Sequence, residues 1–190
     1  MKKILQFILI LSCYFTARAS HIVGGDIYYD YLGNNQYRIH VSVFRDCLSS
    51  GASFDSPLPL GIFFNSNNSL YQSIEIPYTG KSIVPVTFNN PCVIVPNNIC
   101  TENAIYTTVV TLPPNPDGYR VAYVRCCRGP NINNINNPEG TGLTLTVNIP
   151  GSANNFYINS SARFTNYPPQ LLCNNDQLVF NHSATDADGD

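Results

Sequence analysis

An all-β sandwich braced by disulfides is the fold this sequence predicts, and three observations predict it. Turn formers dominate, with 24 asparagines beside 12 glycines and 14 prolines, and such residues join short strands. Tyrosine and phenylalanine, at 12 and 10, suit pleated, half-buried strands. No segment sustains the apolar period of a helix, whereas several alternate from residue to residue. Hydrophobic residues make up 44% of the chain, enough to form a core and to argue against disorder.

The first segment is expected to leave the mature chain. Met1-Lys2-Lys3 is a basic start, Ile4 to Phe15 an apolar run, and Ala17-Arg18-Ala19 an A-x-A exit, the pattern of a secretory signal. Residues 1–19 therefore read as a cleaved signal peptide, and the product as secreted or displayed at the cell surface. The run falls short of the ~20 residues that a membrane span requires, and no later run approaches that length, so no membrane insertion is expected. Lys2, Lys3 and Arg18 depart with the signal, taking Lys+Arg from 10 to 7 against 12 acids, a net charge of −5. Lys81 is then the one lysine and the arginines form no run. Reading phosphates needs clustered positive charge, so nucleic acid is excluded as a partner.

The strands follow in order. Asp26 to Leu32 and Gln36 to Arg45 flank Gly33-Asn34-Asn35, the grammar of a hairpin. In the second run Tyr37, Ile39, Val41 and Val43 alternate with Arg38, His40 and Ser42, the period of a strand with one face buried. A Gly/Ser/Pro-rich connection runs from Leu48 to Pro59. Leu60 to Phe64 and Leu70 to Ile76 form a second hairpin around Asn65–Ser69, and Ile83 to Phe88 a short strand that Pro85 confines to an edge. Ala104 to Leu112 and Tyr119 to Cys127 are joined by the turn-rich stretch Pro113–Gly118. After the loop Asn131–Asn137, Gly142 to Ile149 alternates again. Strands of this number and spacing describe an Ig-like sandwich over residues 20–158. Residues 159–190 read as the start of a second β-module, since some thirty residues cannot bury a core of their own.

Six cysteines outlast the signal: Cys47, Cys92, Cys100, Cys126, Cys127 and Cys173. An even number in an exported chain reads as a disulfide framework. Cys92 and Cys100 could close a local loop, which would leave Cys47 and Cys173 to take one each of the adjacent pair. A bridge between Cys126 and Cys127 is disfavoured, because neighbours on a strand point to opposite faces and sit closer than a bridge prefers. Zinc is disfavoured too, for want of paired Cys or His spacings.

The sharpest constellation is Asp186-Ala187-Asp188-Gly189-Asp190. Asp186, Asp188 and Asp190 crowd three carboxylates into five positions, and hard oxygen ligands in a glycine-containing turn suit Ca²⁺. The register does not match a helix–loop–helix calcium site, so the fitting site lies between tandem β-modules. No organic cofactor is expected. Ile22-Val23-Gly24-Gly25 looks like the start of an activated trypsin-type protease, but no matching triad accompanies it. His21 would hold copper only if exposed as the N-terminus, which needs a cleavage less suited to signal peptidase than the one after Ala19. Arg125-Cys126-Cys127-Arg128 reads as half-cystines beside solvent-facing arginines more readily than as an activated thiolate. Tyr28, Tyr29, Tyr31 and Tyr37 could line a sugar-binding face, though such clusters more often pack a core. No catalytic residues are assigned.

Several segments together carry a resemblance. Ser20-His21-Ile22-Val23-Gly24-Gly25-Asp26-Ile27-Tyr28-Tyr29, the run from Tyr37 to Cys47, Gly118 to Arg128 and Phe180 to Asp190 resemble the N-terminal region of large secreted adhesin-like proteins of gliding Bacteroidota. Those proteins carry tandem cadherin-like or PKD-like modules and a C-terminal gliding-motility-associated sorting domain for type IX secretion. The resemblance implies that residues 159–190 are the first strands of a cadherin-like module, with Asp186 and Asp188 in an A-x-D-x-D calcium motif. Asn159-Ser160-Ser161 stands where cadherins carry an acidic linker, so the interdomain site has fewer carboxylates. It further implies a non-enzymatic adhesion or spacer module, partnered by adjacent β-modules of its own chain and by an extracellular protein or polysaccharide surface. A carbohydrate-binding module feeding a distal enzyme domain is the alternative.

Overall fold

The computed structural model describes residues 22–49, 51–86, 94–154, 157–174 and 177–189. Among the described residues ten strands are formed: β1 Ile22–Gly33, β2 Gln36–Asp46, β3 Leu58–Phe64, β4 Leu70–Ile76, β5 Ser82–Ile83, β6 Thr101–Thr111, β7 Tyr119–Arg125, β8 Leu143–Ile149, β9 Arg163–Phe164 and β10 Ala184–Thr185. They make two antiparallel four-stranded sheets, ordered β1-β2-β6-β5 and β4-β3-β7-β8, and a small β9-β10 ribbon. The chain is an all-β sandwich.

Alternation in the sequence becomes the two faces of each sheet. Ile39, Val41 and Val43 on β2 are at most 1% exposed, while Arg38, His40 and Phe44, at the alternate positions, turn outward. Opposite them β3 supplies Leu58, Leu60 and Ile62, and β7 supplies Val121 and Tyr123, all buried. Each fully buried aliphatic or aromatic side chain contributes about 1.5–3 kcal/mol relative to exposure. The first hairpin turns on Asn34 and Asn35, both with positive φ, a conformation asparagine tolerates better than most residues. β4 lies at the other extreme: five of its residues, Leu70 to Ser73 and Glu75, are exposed, and it flanks its sheet as an edge strand.

Gly118 ends the proline-rich linker with φ +76, and a Cβ there would collide with the Ile149 carbonyl and the backbone of Pro150 and Gly151. Glycine is thus required twice, for the dihedral and for the close approach. Tyr119 follows directly and its hydroxyl donates to Pro113 O at 2.8 Å, closing the linker.

The expected cysteine pairing is corrected. Cys47 bonds to Cys100, with Cα atoms 5.4 Å apart. Register explains it: β2 and β6 pair out to Asp46↔Thr101, so the next residues on each strand meet, and Cys47 N donates to Cys100 O at 3.2 Å. Cys126 and Cys127 bond to each other rather than to Cys47 and Cys173. β7 stops at Arg125, so both cysteines lie beyond the strand and its alternation of faces does not hold their side chains apart. Cys173 is in no bridge among the described residues, and Cys92 lies outside them. β5 is likewise shorter than the expected run from Ile83 to Phe88, whose last two residues fall outside the described ones.

Candidate functional site

After the sandwich the chain returns to β1. Ser161 N donates to Tyr29 O at 2.9 Å. In the other direction Tyr29 N donates to Ser161 Oγ at 2.8 Å and Tyr31 N to Ser160 Oγ at 3.1 Å. Serine hydroxyls and one amide thereby satisfy backbone groups on the outer edge of β1 that lack a neighbouring strand. Asp188 accepts the Ser160 amide, tying the chain's last described turn to the same place. Further along, Gln170 Nε2 donates to Pro85 O at 3.1 Å.

Between this returning segment and the outward face of the β1-β2-β6 sheet lies a cleft of about 470 Å³, in the size range of small-ligand sites. Its floor is the side of the sheet turned away from the core: Asp26 and Tyr28 from β1, Ser42 and Phe44 from β2, Ile105 from β6. Its wall is the segment from Arg163 to Pro168 together with His182. Phe44 meets Tyr167 edge to face at 5.5 Å between centroids, and Phe164 stacks on His182 at 4.5 Å. Gly24 and Gly25 line one end of the floor; a Cβ on Gly25 would point into the sandwich and strike the core residue Leu145 and Ser42 O.

At one side of the cleft, charged and aromatic groups interlock. His40 stacks on Tyr28 with centroids 4.6 Å apart, and its Nε2 lies 3.1 Å from Asp30 Oδ2. Arg163 lies over the Tyr28 ring at 5.5 Å, and its Nη2 donates to Asp30 Oδ1 at 3.2 Å. Burial holds the His40 imidazole below its ordinary value despite the upward pull of its Asp30 bond, and burial likewise raises the Tyr28 hydroxyl. His40 is therefore neutral at pH 7, and Asp30 answers Arg163.

The anticipated calcium residues sit at the junction just described. Asp186 Oδ1 accepts the Asp188 amide at 2.8 Å and Asp188 accepts that of Ser160; Asp190 lies outside the described residues. No group of three or more potential metal-ligating side chains gathers among the described residues. The tyrosine cluster divides. Tyr29 and Tyr37 are core residues, Tyr31 packs against that core, and Tyr28 alone reaches the cleft. Arg125 is held by Asp55 and by Ser53 O rather than facing solvent freely. Ile22-Val23-Gly24-Gly25 forms the beginning of β1, with Ile22 1% exposed; His21 and residues 1–19 lie outside the described residues.

Asp26, Phe44, Phe164 and Tyr167 were not singled out by the sequence, yet one signal was present. Phe44 follows Arg38, His40 and Ser42 on the polar side of an alternating strand, and an aromatic residue at an outward position indicates that something covers that face. Compared with known protein families, curated proteins and solved structures, the chain matches none.

Proposed function

We propose that the chain is a non-enzymatic module of a larger adhesin-like protein, exported to the cell surface or beyond, where it acts as a spacer with an adhesive face. The observation that supports this reading is the junction on β1. A flexible tether would leave the segment after the sandwich unbonded, whereas Ser160, Ser161, Arg163 and Asp188 fix its direction relative to β1 and to one another. A module that holds the next stretch of chain at a set angle suits a rigid, extended surface protein. Calcium would add to this by joining the carboxylates of Asp186, Asp188 and Asp190, oxygen donors of the kind it takes.

Melting the chain with and without Ca²⁺ tests the mechanism. A rise of several degrees, reversed by chelator and absent from Asp186→Asn, is the expected result; an unchanged melting temperature removes calcium from the junction. Export is tested separately by sequencing the N-terminus of the secreted form, which should begin at Ser20. For the carbohydrate-binding alternative, Tyr28, Tyr29, Tyr31 and Tyr37 do not make one exposed face: Tyr29 and Tyr37 are buried, Tyr31 packs against the core, and Tyr28 is covered by His40 and Arg163.

A further inference from the structure

We propose that the cleft between the outward face of β1-β2-β6 and the returning segment binds a cationic side chain, a guanidinium above all, presented by a partner peptide. This site is separate from the spacer reading, since a rigid module needs no ligand, and either can fail alone.

The polar groups at the cleft decide the chemistry. Asp26 lines the floor, and its carboxylate has no hydrogen-bond or ion-pair partner among the described residues. The Ser42 hydroxyl already donates to Asn103 Oδ1 at 3.0 Å, which leaves only its lone pairs. Asn166 Nδ2 donates to Thr165 Oγ1 and, at 3.2 Å, to Asn181 O. A main-chain carbonyl can only accept, so the amide nitrogen must face it and the Asn166 side-chain oxygen remains. Asp26, Ser42 and Asn166 thus offer acceptors, one of them charged, and the Tyr28 and Tyr167 hydroxyls that also line the cleft can accept as well as donate. An occupant that pairs with the charged one must bring donors.

Charge and shape narrow the class further. Arg163 also lines the cleft, but Asp30 answers its charge, and Asp26 is left as the charge that no described neighbour offsets. The remaining surface is aromatic: Phe44, Phe164 and Tyr167, with Tyr28 already covered by His40 and Arg163. Aromatic faces beside a carboxylate favour a planar cation, which stacks and donates two parallel bonds at once. Arg163 over Tyr28 is the same recognition already made within the chain.

Nuclear magnetic resonance titration of the full chain with a capped Gly-Arg-Gly peptide tests this. Its twin with citrulline, which keeps the shape and loses the charge, is the control. The arginine peptide should shift the signals of Tyr28, Phe44 and Tyr167, and citrulline should bind about tenfold or more weakly, as expected for loss of a charge-assisted pair. Asp26→Asn should weaken arginine binding to a similar degree at an unchanged melting temperature, and added salt should weaken it too. Equal binding of the two peptides overturns the proposal, and that comparison needs no variant. So does the absence of shifts with either peptide, or a response to maltotriose in place of arginine.

Discussion

Arg45 Nη1 lies 2.5 Å from Glu102 Oε1, in a pairing of two buried side chains across β2 and β6. Glu102 is 1% exposed and takes Lys81 on its other oxygen at 2.6 Å. Arg45 in turn reaches out of the sheet, with Nη2 donating to Ser49 O and Gly51 O at 3.0 Å each. One carboxylate therefore holds β2, the residue just before β5 and, through Arg45, the loop after β2 together. Glu102→Gln leaves the Arg45 charge buried without its counterion. Loss of one partner from a buried pair costs about 3–5 kcal/mol, and urea denaturation should show a loss of that order. The Lys81 half is exposed and screened, so Lys81→Ala should cost well under 1 kcal/mol.

Acid should weaken the protein in two windows. Burial alone would push the Glu102 carboxyl upward, but its bonds from Lys81 and Arg45 outweigh that and hold it below its ordinary 4.5. A depressed acid contributes stability that is present above pH 4.5 and lost as pH falls through the lower folded value. His40 behaves as a depressed base, held by burial below its ordinary 6.5. The unfolded chain takes up this proton first, so stability falls as pH drops below about 6.5 and levels off once the folded form is also protonated. Melting temperatures from pH 8 to pH 3 should show both steps, and His40→Gln should remove the upper one.

The Cys47–Cys100 bridge closes a separation of 53 residues. Removing such a loop constraint costs about 4 kcal/mol on the chain-entropy account. The double substitution Cys47→Ala with Cys100→Ala should therefore melt roughly 10 °C lower, at about 2–4 °C per kcal/mol for a chain of this size. Peptide mapping without reduction should recover the 47–100 and 126–127 linkages.

Gly118→Ala tests the linker. The added methyl meets the Ile149 carbonyl, and the residue must still hold φ +76, so a loss of about 2 kcal/mol or more is expected by chemical denaturation. Gly24→Ala is the control, because a Cβ there has nothing within 4 Å; its effect should be a small fraction of the first.

Alternation made the sandwich legible. β2 and β8 fall where the sequence places them or within a residue, since a period of two with one apolar set leaves no other register; β4, mostly exposed, is placed instead by the turn formers Asn65–Ser69 before it. Pairings set by distant geometry were hidden. Cys47 and Cys100 meet only because β2 and β6 end together, and nothing local to either cysteine reports that. The cleft was hidden for the same reason: Arg163 and Asp30, 133 positions apart, build one of its sides. Phe44 alone hinted that the outward face is covered.

The bonds between Ser161 and Tyr29 have a mechanical consequence. Ile22 opens β1, and the chain leaving the sandwich is clasped to the same strand seven residues on. Tension applied to the two flanking segments would travel along β1 and across that clasp. The remaining strands, with their packed interior, hang to one side as slack. Until the clasp parts, pulling would not peel a single strand from either sheet.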